Sequence, residues 1–244
     1  MKQYYKKIYK GTKKDFLQKL EKSIEKEERL CVVTANPETL MTADRKKGMQ
    51  RLLMCGETEI VPDGIGIILG GQRLGYHFTE RIPGVEICSE LLSYADRSEK
   101  KMFLFGARPE ILNKLTDKIM REYPGIKLCG YENGYVKDKD AVFEKMAELE
   151  PDIILVALGV PLQEQMIYKH MKRFRKGVFI GVGGSFDVLS GEKKRAPEFF
   201  VKHNLEWLYR ITTEPKRLKR FWDNNVKFLF TVEREKHEKG FRKD

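Results

Sequence analysis

Long apolar runs are missing from this 244-residue chain. No stretch approaches the ~18–20 consecutive apolar residues that cross a bilayer as a helix, which argues against an integral helical membrane protein. The opening segment MKQYYKKIYKGTKKDF has no apolar core of the signal-peptide kind. The expectation is a cytoplasmic protein whose membrane contact is peripheral. Cysteine is scarce: Cys31, Cys55, Cys88 and Cys129 are widely spaced, with no C-x-x-C pair. That spacing argues against a disulfide frame or a thiolate zinc site. Cys31, Cys88 and Cys129 lie in or beside apolar runs and read as small core residues. The four histidines, His77, His170, His203 and His237, show no metal-ligand spacing.

Several mechanistic motifs are absent too. Residues 181–186 read GVGGSF, and Phe186 stands where G-x-G-x-x-G needs its last glycine, so a dinucleotide fingerprint is unsupported. There is no phosphate-binding G-x-x-x-x-G-K-[ST] run, and Ser185 is not in a G-x-S-x-G elbow. Asp138-Lys139-Asp140 has D-x-D spacing, but it lies in a polar stretch before a helical pattern rather than after an apolar strand. No metal or other cofactor is expected. Internal repeats and low-complexity segments are also absent.

Positive charge is in excess. Lys and Arg number 47 against 36 Asp and Glu, a formal net charge of +11. Such an excess favours nucleic acid, anionic lipid or phosphorylated substrates. No nucleic-acid-binding module is visible, so nucleic acid is not expected as a partner. A hydrophobic content of 41% is enough for a real core.

Short apolar runs at 30–34, 58–61, 101–105, 126–129, 152–157 and 177–182 alternate with helical patterns at 37–54, 64–74, 85–95, 109–122, 141–148 and 162–174. This alternation predicts an α/β fold: a Rossmann-like, mostly parallel sheet with helices on both faces. From about residue 195 the strands stop, and short helical segments broken by Pro197 and Pro215 follow. The expected division is a sheet domain over 1–195 and a basic, amphipathic helical appendage over 196–244. Such an appendage can lie in a bilayer interface, or pack on its own domain or on a partner subunit.

In open α/β sheets, ligands sit outside the carboxyl ends of the strands. Four such ends carry polar residues: Thr34-Ala35-Asn36, Pro62-Asp63-Gly64, Gly159 to Glu164, and Gly183 to Asp187. Asp63 follows an apolar strand. It can act as a general base toward a hydroxyl, or it can cap the helix that follows. Thr34 and Asn36 have the same two readings, ligand contact or cap, and so do Gln163 and Glu164. The Gly183-Gly184 turn offers backbone N–H groups to a bound phosphate. Lys193, Lys194 and Arg195 form a cluster that can bind phosphate or remain a solvated loop. Arg210, Lys216, Arg217, Lys219 and Arg220, set among Trp207, Tyr209, Phe221 and Trp222, suit an anionic surface.

The order of these segments resembles the WecG/TagA/CpsF family of bacterial glycosyltransferases. The segments GVGGSFDVLSG, KRAPEFF, LEWLYR and EPKRLKR fall between Gly181 and Arg220, and PDGIG, RIPGVE and LGVPLQE precede them. The resemblance implies transfer of a sugar from a UDP-sugar to a sugar on undecaprenyl diphosphate, with inversion, without a metal, and in teichoic acid or other surface-polysaccharide synthesis. It points to N-acetylmannosamine as the donor sugar and lipid-linked N-acetylglucosamine as the acceptor. A UDP-glucose, UDP-galactose or UDP-uronic-acid donor, or a non-catalytic UDP-sugar-binding role, stays open. It also implies Asp63 as catalytic base with Thr34 beside it, and Asn36, Gln163, Gly183, Gly184, Arg210, Arg217 and Arg220 as substrate contacts. The appendage would engage the inner face of the cell membrane; homo-oligomerisation stays open. Glu86, Ala107 and Thr39 depart from residues common in the family.

Overall fold

The computed structural model describes residues 1–203, 205–213 and 217–237. Six parallel strands form one sheet: β1 (Arg29–Ala35), β2 (Thr58–Pro62), β3 (Lys101–Gly106), β4 (Lys127–Glu132), β5 (Ile153–Ala157) and β6 (Gly177–Gly181). Their spatial order is β2-β1-β6-β5-β3-β4. The inner strands β5 and β6 are buried at every position. That explains why they read as unbroken apolar runs rather than as alternating ones. Side chains still alternate between two cores: Leu30, Val32, Leu155 and Ile180 face one, while Cys31, Val33, Val156 and Phe179 face the other.

Helices cover both faces. In chain order they are α1 (Lys2–Lys7), α2 (Lys13–Glu25), α3 (Pro37–Arg45), α4 (Lys47–Met54), α5 (Ile65–Arg73), α6 (Gly84–Arg97), α7 (Pro109–Glu122), α8 (Lys139–Leu149), α9 (Leu162–His170), α10 (Ser185–Leu189), α11 (Glu198–Lys202), α12 (Glu206–Thr213) and α13 (Arg217–His237). A 3-10 turn, Met171–Arg173, extends α9. In α2 the Thr12 hydroxyl accepts from the Asp15 N–H, and Phe16, Leu20 and Ile24 repeat at four-residue spacing on the buried side. Proline opens α3 and α7, where its missing N–H costs nothing.

The six predicted strands are all present, within a few residues at each end. The helical layout differs from expectation at three places. The single pattern at 37–54 is two helices, broken where Lys46 adopts an extended backbone (φ −118°, ψ 108°); the second then packs against α9 and β2. The N-terminal segment, notable in sequence only for what it lacked, forms α1 and α2. Tyr4 and Tyr5 are fully buried, and the Tyr5 hydroxyl donates to the Ile67 carbonyl at 3.0 Å. The tail is not a series of short pieces only, for α13 is a 21-residue helix. It lies against α3 and α5 and places Phe228 and Val232 in the same core as β1, β5 and β6. Of the placements left open for this stretch, the described part of α13 packs on its own domain. Among the described residues, no helix is long and apolar enough to cross a membrane.

All four cysteines are free. Cys31 and Cys88 lie in the cores, and burial pushes both thiols well up, Cys88 to about 12. Thiols so raised are poor nucleophiles, consistent with a packing role.

Candidate active site

The strand order sets the ends of β2, β1, β6 and β5 side by side, so the four polar loops share one edge of the sheet. With neighbouring strands ~4.8 Å apart, that row spans roughly 14 Å.

At one end lie Thr34, Asn36 and Asp63. The Asp63 and Gly64 N–H groups both donate to the Ala35 carbonyl, at 3.0 and 3.3 Å, folding the β2 loop over the end of β1. Gly64 presses on α3 so closely that a Cβ there would meet the Asn36 Cβ at 3.3 Å. Gly84, at the start of α6, abuts Thr34, where a Cβ would be 3.2 Å from the threonine methyl. Thr34, Asn36 and Asp63 are all half-buried.

Their alternative readings now separate. The N-cap of α5 is Gly64, which has no side chain to cap it. Asp63 therefore is not the cap that its position in sequence allowed. Asn36 is a cap: its Oδ1 accepts from the Thr39 N–H at 3.0 Å and from the Thr39 hydroxyl at 3.2 Å. A ligand contact by Asn36 falls to its amide donors. The family departure Thr39 is buried beneath that cap.

At the other end, Gln163 is 3% exposed. Its Oε1 accepts from the Gly159 N–H at 3.1 Å and from the Gly183 N–H at 3.0 Å, and its Nε2 donates to Glu164 Oε1 at 2.8 Å. Both polar atoms are engaged within the protein, so Gln163 shapes the glycine turns from beneath. Gly183 has φ +47° and Gly159 φ +79°, conformations that favour glycine. Gly184 is exposed at the edge. Glu164 follows Gln163 in the first turn of α9. It is as buried as Gln163, and burial pushes its carboxyl up to about 7.

A chain of ion pairs joins the site to the tail. The Arg81 Nε donates to the Asp63 carbonyl at 2.7 Å, and its Nη2 pairs with Glu206 Oε2 of α12 at 2.8 Å. Arg195 pairs with Glu86, and its Nε lies 3.8 Å from the other Glu206 oxygen. Lys13 pairs with the second Glu86 oxygen at 2.6 Å. Burial alone raises the Glu86 carboxyl, but hydrogen bonds from Lys13 and Arg195 outweigh it and hold the group below the usual carboxylate range. Arg195 thus belongs to a structured network rather than to a solvated loop. Neither Arg81 nor Glu206 was singled out in sequence. The signal was present only as RIPGVE following PDGIG, with no indication of a partner 125 residues away. Beside this network a cavity of about 400 Å³ is lined by Ile65, Ile68, Phe78, Pro83 and Val201 together with Arg81 and Glu86.

Lys193 pairs with Asp187 across the end of α10, at 3.7 Å. Arg210, Arg217 and Arg220 fall on α12 and α13, but their side chains lie outside the described residues. The D-x-D pair has local duties: Asp138 caps α8, accepting from the Ala141 N–H, and Asp140 pairs with Lys169 and His170. Among the described residues, no group of three or more His, Cys, Asp or Glu side chains is placed to hold a metal.

The family described as "Glycosyl transferase WecG/TagA/CpsF family" matches residues 4–241, and the chain belongs to it. Proteins named N-acetylglucosaminyldiphosphoundecaprenol N-acetyl-beta-D-mannosaminyltransferase are similar along most of its length. The one from Bacillus spizizenii is 41% identical over 189 residues, 78% of this chain and 73% of the relative. That from Bacillus subtilis is 39% identical over 210 residues, 86% and 82% of the two chains. That from Staphylococcus aureus is 38% identical over 192 residues, 78% and 75%.

Proposed function

From membership of this glycosyltransferase family, we propose that the protein transfers N-acetylmannosamine from its UDP-sugar to N-acetylglucosamine on undecaprenyl diphosphate, as its relatives' names describe. The product would feed teichoic acid or related surface-polysaccharide synthesis. The observation that carries the reading is the row of strand ends. A half-buried carboxylate that does not cap its helix lies at one end, and an open glycine turn lies two strands away.

Asp63 takes the proton from the acceptor hydroxyl as that oxygen attacks the anomeric carbon. The bond to the UDP oxygen breaks, and UDP leaves with the electron pair. Attack opposite the leaving group inverts the anomeric centre. A general base of this kind contributes ~10²–10⁴-fold. Thr34 and the Asn36 amide orient the sugars. The Gly183-Gly184 turn meets the diphosphate, and Arg210, Arg217 and Arg220 of the tail neutralise phosphate charge, a role that guanidinium groups fill without a metal. Residues 196–244 hold the enzyme at the membrane surface. Exposed Phe199, Leu218, Trp222 and Phe230 support this, since large apolar side chains on a strongly basic chain suit an anionic bilayer. Closure of this segment over the edge would exclude the water that competes with the acceptor.

The test is UDP release from a panel of UDP-sugars with an undecaprenyl-diphosphate-GlcNAc analogue. Selective release with UDP-N-acetylmannosamine, lost in Asp63→Asn with the fold intact, is the expected result. Release from a different donor corrects the sugar, and release that survives Asp63→Asn removes the base. UDP binding without any release would indicate a non-catalytic sugar-nucleotide-binding protein.

A further inference from the structure

The Gln163 amide can point in one direction only. Two backbone N–H groups, Gly159 and Gly183, converge on its Oε1 at 3.1 and 3.0 Å. An amide flipped the other way would set its NH₂ against both donors. The stable orientation therefore needs an acceptor on the Nε2 side, and Glu164 Oε1 supplies it at 2.8 Å. Space for this arrangement is made by Gly181 at the end of β6, where a Cβ would stand 2.6 Å from Gln163 Nε2 and 3.2 Å from Glu164 Oε1.

Glu164 is otherwise hard to explain. It is 3% exposed, and its Oε2 is buried with no hydrogen-bond partner among the described residues. The charged neighbour acting on it is Glu38 of α3, an acid, and the Cys31 thiol of β1 lies close enough to feel it. Among the described residues, no Lys, Arg or His pairs with it, and the bond from Gln163 only partly offsets its burial. A buried acid without a cation is costly, and a cap or a packing residue does not require one.

We propose that Glu164 is a positioning residue for the donor diphosphate. By accepting from Gln163 Nε2 it keeps Gln163 Oε1 on two glycine N–H groups, and so holds the Gly183-Gly184 turn at a set distance from the β5 loop. The proposal rests on the donor reading above only in naming what the turn receives. Either protonation state of the acid leaves an oxygen able to accept from Nε2, so the clamp persists across neutral pH.

The experiment compares wild type, Glu164→Gln and Glu164→Met, using protein labelled with ¹⁵N-glycine. Hydrogen exchange is read at the Gly159 and Gly183 amides, and UDP affinity is measured by calorimetry. Glu164→Met keeps the volume and removes the acceptor; Glu164→Gln keeps an acceptor. The expected result for Glu164→Met is about tenfold faster exchange at both glycines and about tenfold weaker UDP binding, the loss of roughly one hydrogen bond. Glu164→Gln should restore both to within about twofold. Unchanged exchange in folded Glu164→Met overturns the clamp. Faster exchange with unchanged UDP affinity overturns the link to the donor. A wild type that binds no UDP refutes the donor reading of the site, while the glycine exchange rates still decide the clamp.

Discussion

Glu164 ties the stability of this protein to pH in a direction opposite to that of most acids. An ordinary paired carboxylate has a lowered pKa when folded, and its stability is lost on acidification. Glu164 is raised from the usual glutamate value of 4.5 to about 7 by burial. Between those two values the folded protein keeps a proton that the unfolded chain has released. Stability from this group is therefore full below pH 4.5, falls as pH rises toward 7, and levels off above it. At 1.36 kcal/mol per unit the whole change is about 3 kcal/mol. Glu164→Gln removes the titration while keeping the shape and one acceptor. The difference in unfolding free energy between variant and wild type should shift by about 3 kcal/mol in favour of the variant from pH 4.5 to pH 8. Urea titrations of both proteins at half-unit intervals measure it, and titrating groups that do not feel the Glu164 charge cancel in the difference. A fixed cost of seating the amide would displace the whole curve without altering its slope. A difference that stays constant across pH 4.5–8 would refute the assignment of a buried, uncompensated acid to this position.

Further outcomes follow from the geometry. Glu206→Ala removes the carboxylate that lies 2.8 Å from Arg81, a side chain only 13% exposed; urea unfolding should show a loss of about 3 kcal/mol, against little change for Lys127→Ala at its exposed pair with Glu99. Gly106→Ala should cost about 3 kcal/mol or more, seen as a collapse in soluble yield and melting temperature, because φ is +124° and the new Cβ would lie 2.4 Å from the Ala157 carbonyl. Gly48→Ala, with nothing within 4 Å of the added methyl on helix α4, should instead stabilise by about 0.5 kcal/mol. Phe228→Ala opens a cavity between α13 and the sheet domain and should cost about 3–5 kcal/mol, with early proteolytic release of the tail.

Much of the fold was legible locally. Each strand is a short apolar run bounded by turn residues, and a strand buried on both faces needs little more than that. Helices starting at proline or at a capping threonine announce themselves. Less legible was the split between α3 and α4, because Lys46 is an ordinary residue and its extended backbone is imposed by the packing of α4 on α9 and β2. The amphipathic repeat of α2, Phe16, Leu20 and Ile24, was equally present in the sequence.

The active-site region divides in the same way. That Asp63, Thr34, Asn36 and the Gly183 turn follow strands, and that the chain carries its family's ordered segments, is written in the residues themselves. Their convergence depends on the order β2-β1-β6-β5, which brings the first, second, fifth and sixth strands together while the third and fourth stand aside. The role of Asp63 as something other than a cap appears only where Gly64 takes the N-cap of α5. Gln163 reaches across 20 residues to Gly183, and Arg81 across 125 to Glu206. Local patterning follows the periods of helix and strand, so it determines which elements form and where polar residues leave them. Pairings between distant residues are set by which elements pack together, and only the tertiary structure could decide that Arg195 joins an ion-pair network, that Gln163 clamps two turns, and that a buried glutamate stands behind them.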